Sequence, residues 1–289
     1  MHDRTPMDEW LRDVQAHCAE TAPDLLSLLD IYAAEAVFGR SFISNDIALL
    51  KPEARIIEVG AGALLLSCQL VREGFNVVAL EPTGSGFSHF DKLRNLVRET
   101  AMSLGCFPQV LNATGEAFAE KNCYDYAFSV NVMEHVDDVP RVMANIAACL
   151  VLGASYRFTC ANYLFPYEPH FNIPTLFSKK LTEKVFFHRI YTSQMPDPAG
   201  AWQSLNWITV LQVQRVAAGL KGIRTSFNQS LIVSTLERVA HDESFANRRS
   251  PFIRNIILWM VRLRLHHMFG YVPAVLQPII DCRLQKIAD

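Results

Sequence analysis

The chain has 289 residues, 50% hydrophobic and 19% charged, with a formal net charge of −2. That length holds one or two domains and buries a core without disulfide or metal support, while the balanced charge excludes the electrostatic footprint of a nucleic-acid binder. The seven cysteines contain no C-x-x-C pair, which excludes a zinc ribbon or a thioredoxin-like motif and reads as buried thiols in a reducing compartment.

Residues 1–20 mix acids and bases (Asp3, Arg4, Asp8, Glu9, Arg12, Asp13), so no secretory leader is expected. No 18 apolar residues run uninterrupted, so no spanning helix is expected, and the expected location is the cytoplasm. Leu25, Leu26, Leu28, Leu29, Tyr32, Ala33 and Val37 recur at helical spacing within a helical region over 6–50. From Ala54 the pattern changes. Short apolar runs at 55–59, 76–81, 109–112, 124–130 and 155–160 alternate with helix-length segments at 64–73, 90–104 and 139–150. Strand and helix at this pitch predict a parallel sheet with crossover helices, in a doubly wound three-layer α/β fold.

After Cys160 the alternation stops. Residues 162–174 are rich in aromatics and prolines and read as a loop. A helix is expected over 206–219, a strand over 222–228 and a helix over 231–240. The segment 251–270 carries three arginines and no acid among apolar residues. It reads as one greasy helix that forms a lid, a homodimer contact or a peripheral membrane surface. In 277–287, Ile280, Cys282 and Leu284 alternate with Asp281, Arg283 and Gln285, as in a strand.

The chemistry concentrates where strands end. An apolar strand ends at Glu58, a turn follows with Gly60 and Gly62, and then a helix begins. Glycine permits the tight turn and close approach of a ligand to the main chain, and a helix N-terminus adds N–H groups. The next strand ends at Glu81, 19 residues after Gly62. A carboxylate there can accept hydrogen bonds from both ribose hydroxyls. A dinucleotide fingerprint would need glycine at Leu65, so a nicotinamide-dependent oxidoreductase is the weaker alternative.

Glu58-x-Gly60-x-Gly62 resembles motif I of the class I S-adenosyl-L-methionine (SAM)-dependent methyltransferases, with Leu64 in place of the last glycine. Residues 124–136, ending Met133-Glu134-His135-Val136, look like that family's fourth strand and its loop. Residues 112–118 look like the adenine loop before it. The resemblance covers roughly 40–160 and is nearest to the small-molecule, ubiquinone-type branch. It implies a Rossmann-like seven-stranded sheet, mostly parallel, whose last strand is antiparallel beside the fifth. It also implies SAM as cofactor. Glu58, with backbone from Gly60, Ala61 and Gly62, would meet the amino-acid part. Glu81 would hold the ribose, with Pro82 and Thr83 packed near the adenine. Thr114 and Gly115 would stand at the adenine edge, and Ser129 to Asn131 at the methionine end. Glu134 and His135 read as residues that fix their loop. Some RNA methyltransferases hold a metal on Glu-x-x-Glu-His, but Asn131 stands at the first position, so no metal site is expected.

The implied activity is methyl transfer, by preference O-methylation, to a small-molecule or glycan-type acceptor. A non-catalytic SAM-fold binding subunit stays open. The acceptor side falls on 161–174, where His170 is the candidate base and Glu168 its partner. Tyr163, Phe165, Tyr167, Phe171, Trp202 and Trp207 either line an acceptor pocket or build core. Arg40 and Arg157 are read as solvated, or as partners of an acidic acceptor. The expected organisation is an N-terminal helical cover (1–50), a SAM-binding core (51–228), a helical insertion or lid (229–276) and a last core strand (277–289).

Overall fold

The structure is a computed structural model, described here for residues 6–82, 88–195, 197–247, 249 and 251–288. Two helices open it, α1 (Pro6–Thr21) and α2 (Leu26–Ile47). The buried positions of α1 are Met7, Trp10, Leu11, Val14 and Cys18. Their spacing of three and four is the periodicity that turns one helix face inward. The α/β part follows, with β1 (Arg55–Val59), α3 (Leu65–Arg72), β2 (Asn76–Leu80), α4 (Ser88–Ser103), β3 (Gln109–Leu111), β4 (Tyr124–Val130), α5 (Val139–Cys149) and β5 (Leu150–Ala161). Trp10 donates its indole N–H to the Leu65 carbonyl at 2.9 Å, tying α1 to α3. At Gly39 of α2 an added Cβ would lie 2.8 Å from the tip of the Leu66 side chain, so α2 packs closely on α3 and a larger residue there would make Leu66 shift.

The rest of the chain forms α6 (Lys179–Tyr191), α7 (Pro198–Ser204), α8 (Val210–Gly219), β6 (Ile223–Phe227), α9 (Leu231–His241), α10 (Glu243–Asn247), α11 (Pro251–Arg262) and β7 (Ile279–Lys286). Among the described residues the strands make one seven-stranded sheet in the order β3-β2-β1-β4-β5-β7-β6. Six strands are parallel and β7 runs antiparallel beside β5, the expected Rossmann-like arrangement. The central strands are buried on both faces, as parallel strands covered by crossover helices must be: Ile56, Ile57, Val78, Ala79, Ala127 and Phe128 are all at 0% exposure.

The described residues form two compact units. Those within 1–130, 144–156 and 286–289 make the first, and those within 131–143 and 157–285 the second. In the first, parallel pairing sets Val59 against Leu80 and Glu58 against Ala79. Two neighbouring strands therefore end level. In the second, α9 and α11 share a small core of Ile232, Leu236, Val239 and Ile257.

Three local readings change. β5 starts at Leu150 rather than near 155, directly where α5 ends, and Gly153 turns within it at φ +88°. The helix α6 is additional to the elements the sequence predicts; its Leu181, Val185 and Phe187 are exposed, so it buries no apolar stripe through them. The 251–270 segment is not one helix. It breaks after Arg262, with Arg264 at φ +58°, and continues as a 3₁₀ helix, Leu265–Tyr271. Both pieces pack on α9, so the chain has to turn back between them.

Candidate active site

Because β1 and β2 end level, the turn after β1 and the acid after β2 meet. Gly60 donates its N–H to the Leu80 carbonyl at 2.8 Å. Gly62 donates its N–H to Glu81 Oε2 at 2.9 Å. The turn needs left-handed backbone at Gly60 (φ +74°) and Gly62 (φ +52°). Leu64, which stands where motif I has its third glycine, adopts the same conformation at φ +67° and is buried. The glycine-type backbone thus survives the substitution, at roughly 1–2 kcal/mol of strain for a residue with a Cβ. Ala61 is buried between the two glycines.

The two acids differ in what compensates them. Glu58 is buried and accepts a hydrogen bond from the Ser67 hydroxyl on α3. Burial pushes its pKa up to about 8, against the Ser67 bond and with the Glu81 charge adding to the rise. Burial also raises Glu81, opposed by the Gly62 N–H and by Arg94 of α4, whose guanidinium lies 4.0 Å away. Pro82 follows at an intermediate exposure, and Thr83 lies outside the described residues. Thr114 and Gly115 sit in the turn after β3. The Thr114 hydroxyl accepts from the Ala117 N–H at 3.3 Å, and Asn145 of α5 donates to the Gly115 and Glu116 carbonyls at 3.0 and 2.9 Å. Ser129 spends its hydroxyl on Tyr156 at 2.9 Å inside the core, which leaves its backbone as the group it can offer.

The second unit gathers another set of groups. Asn131 is exposed in left-handed backbone (φ +55°) and its N–H bonds to the Thr159 carbonyl. Glu168 is fully buried. Its carboxylate accepts from the His170 and Phe171 N–H groups at 3.1 and 2.7 Å, from the Tyr163 hydroxyl at 3.3 Å, and lies 2.6 Å from His170 Nδ1. A short antiparallel bridge between Glu168 and Ile173 closes this loop on itself. The His135 ring stands edge-on to the His170 ring, centroids 5.6 Å apart, with its Nδ1 at 2.9 Å from the Ser204 hydroxyl. Burial, and then the neighbouring His170, push His135 down to about 4, so it is neutral near pH 7. Ligand-type atoms of Glu134, His135 and His170 lie within 4.8 Å of one another, a grouping that depends on a histidine 35 residues downstream of His135.

Several residues that matter here carry no signal at the level of sequence. Asn206 donates to the Met133 and Val136 carbonyls at 2.8 and 2.7 Å and so holds the Glu134–His135 turn. Ser67, Arg94, Asn145 and Ser204 likewise act through contacts distant in the chain. Tyr163, Phe171 and Trp202 are buried against one another and Trp207, with ring centroids 5.1–6.0 Å apart. They build core. Neither arginine is solvated: Arg40 makes a two-pronged pair with Glu73, and Arg157 a buried one with Asp281.

Residues 37–155 match a family model described as a methyltransferase domain. Together with the sheet order and the glycine turn, that match marks 37–155 as the methyltransferase domain of a SAM-dependent enzyme, with SAM as its cofactor. It is 47% identical over 281 residues to an uncharacterized protein of Mycobacterium tuberculosis, which covers 97% of this chain and 95% of that one. A ubiquinone biosynthesis O-methyltransferase of Rickettsia conorii is 29% identical over 112 residues, 39% of this chain and 34% of that one. Among solved structures, geranyl diphosphate C-methyltransferase from Streptomyces coelicolor superposes with a TM-score of 0.52 at 12% identity, over 90% of this chain and 77% of that one. Phosphoethanolamine N-methyltransferase 2 of Haemonchus contortus gives 0.50 at 15%, over 94% of this chain and 59% of that one. These structural likenesses establish the fold. The residues present suit the cofactor, since Glu58 is a buried carboxyl that a cationic group such as the methionine ammonium would relieve.

Proposed function

We propose that the enzyme methylates an oxygen of a small-molecule or glycan-type acceptor, with His170 as the base and Glu168 orienting it. The observation that carries this reading is the buried Glu168 carboxylate 2.6 Å from His170 Nδ1. A carboxylate so placed holds the Nδ1 proton and directs Nε2 to receive the acceptor's. When bound, SAM supplies an electrophilic methyl on a sulfonium. Glu58 and the backbone of Gly60, Ala61 and Gly62 would hold its amino-acid part, Glu81 its ribose, and Pro82, Thr114 and Gly115 its adenine. Ser129 and Asn131 would offer backbone at the methionine end. In this reading 51–228 and 277–289 are the cofactor-binding core, 1–50 is a helical cover, and 229–276 is an insertion over the acceptor.

The test is transfer of a deuterated methyl from SAM into extracts of small molecules and glycans. Labelled product is expected, lost in His170→Asn and reduced in Glu168→Gln. Label in protein or nucleic acid alone, or full transfer by His170→Asn, would count against the proposal. A second reading is favoured by the convergence of Glu134, His135 and His170. A divalent cation held there would lower the acceptor hydroxyl's pKa, so that solvent water takes the proton and no side-chain base is needed. Turnover abolished by a chelator and restored by added cation separates the two.

A further inference from the structure

The helix α11 has two apolar faces. Ile257, Met260 and Val261 pack inward on α9. Phe252, Ile256 and Trp259, with Leu263 just beyond, recur at intervals of four, three and four, so they share one face. That face is in water: the four side chains are 74%, 43%, 58% and 50% exposed. Met268 and Tyr271 in the following 3₁₀ helix are also exposed. Single exposed hydrophobes are ordinary, whereas a contiguous patch marks a contact surface.

Charge decides what the contact is with. From Arg248 to Ile280 the chain has five arginines (Arg248, Arg249, Arg254, Arg262 and Arg264) and no aspartate or glutamate. Arg262 and Arg264 are exposed beside the apolar stripe. A two-fold contact between two copies would set this patch against itself, arginine facing arginine with no acid to pair. An anionic bilayer offers the opposite charge together with an apolar interior, and Trp and Tyr favour that boundary. Among the described residues no helix is long and apolar enough to cross a membrane, so α11 would lie in the plane of the headgroups.

We propose that the outer face of α11, through Phe252, Ile256, Trp259 and Leu263 with Arg262 and Arg264 beside them, docks the protein on an anionic lipid surface. The docking is independent of which acceptor is methylated, and its test reads lipid binding rather than turnover. The full chain is sedimented with vesicles of phosphatidylcholine alone or mixed with phosphatidylglycerol. Pelleting with the anionic vesicles only, weakened by salt, is the expected result, together with a blue shift of tryptophan emission that Trp259→Phe removes. Of the other tryptophans, Trp10 and Trp202 are buried and report little. Arg262→Glu/Arg264→Glu and Ile256→Ser/Trp259→Ser should each cut binding at least tenfold with circular dichroism unchanged. Absence of pelleting, equal pelleting with neutral vesicles, or a lipid-free dimer that Ile256→Ser/Trp259→Ser dissolves would overturn the proposal, the last in favour of a second copy.

Discussion

Two buried carboxylates, Glu58 and Glu168, face opposite electrostatic situations. Glu168 is met by two backbone N–H groups, a tyrosine hydroxyl and an imidazole, all drawn from residues 163–171. Glu58 has the Ser67 hydroxyl and backbone N–H, and its pKa rises to about 8. A buried carboxylate costs several kcal/mol unless donors or cations replace its water. Glu168 is therefore supplied by its own loop, which suits the positioning role proposed for it beside His170. Glu58 is left short, which suits a residue that meets a cation brought by a ligand.

The sharpest way to break that contrast is Glu168→Gln. The amide turns an NH₂ towards donors and should destabilise the fold by about 3 kcal/mol, read by urea unfolding. A change below about 1 kcal/mol would show that the four donors do not depend on the charge. Next in size, Glu81→Ala should weaken SAM binding about 100-fold by calorimetry, since two charge-assisted hydrogen bonds are lost, with a smaller loss of stability from the Gly62 N–H and Arg94 that it leaves behind. Unchanged affinity would refute the ribose assignment.

The pH dependence follows from Glu58. Its native pKa of about 8 lies above the ordinary 4.5, so between these values the native state holds a proton that the unfolded chain has lost. That stabilising contribution is complete below about 4.5, declines as pH rises through this window, and is gone above about 8. Glu58→Gln should flatten the slope. At pH 7 SAM binding should release just under one proton, measured by calorimetry in buffers of different ionisation enthalpy. No release would mean that Glu58 does not meet the ammonium. The smallest effect is expected at Leu64. Because its backbone is left-handed, Leu64→Gly should be less destabilising than Leu64→Ala by about 1 kcal/mol, the reverse of the usual order. The usual order would show that burial of the side chain outweighs backbone strain.

The cofactor half was largely legible beforehand because its parts are short and contiguous. Strand, glycines and helix follow one another from Arg55 to Arg72, and each acid closes an apolar run. The 161–174 loop and its surroundings were legible only as candidates. His170 and Glu168 stood out in a proline-rich loop, but nothing local showed that Asn206 and Ser204 would hold the Glu134–His135 turn and ring in place. The aromatic residues around them looked as much like a pocket as like core, because composition does not say which neighbours a ring will meet.

What the amino-acid order determined by itself was the alternation of strands and helices and the positions of Glu58, Gly60, Gly62 and Glu81, since period and turn chemistry act over a few neighbouring residues. Tertiary structure alone decided that Leu64 takes a glycine's backbone, that His135 meets His170, and that α11 turns one greasy face inward and the other to water. Those outcomes depend on packing between segments tens of residues apart, and no local pattern encodes which side of a uniformly apolar helix its neighbours will cover.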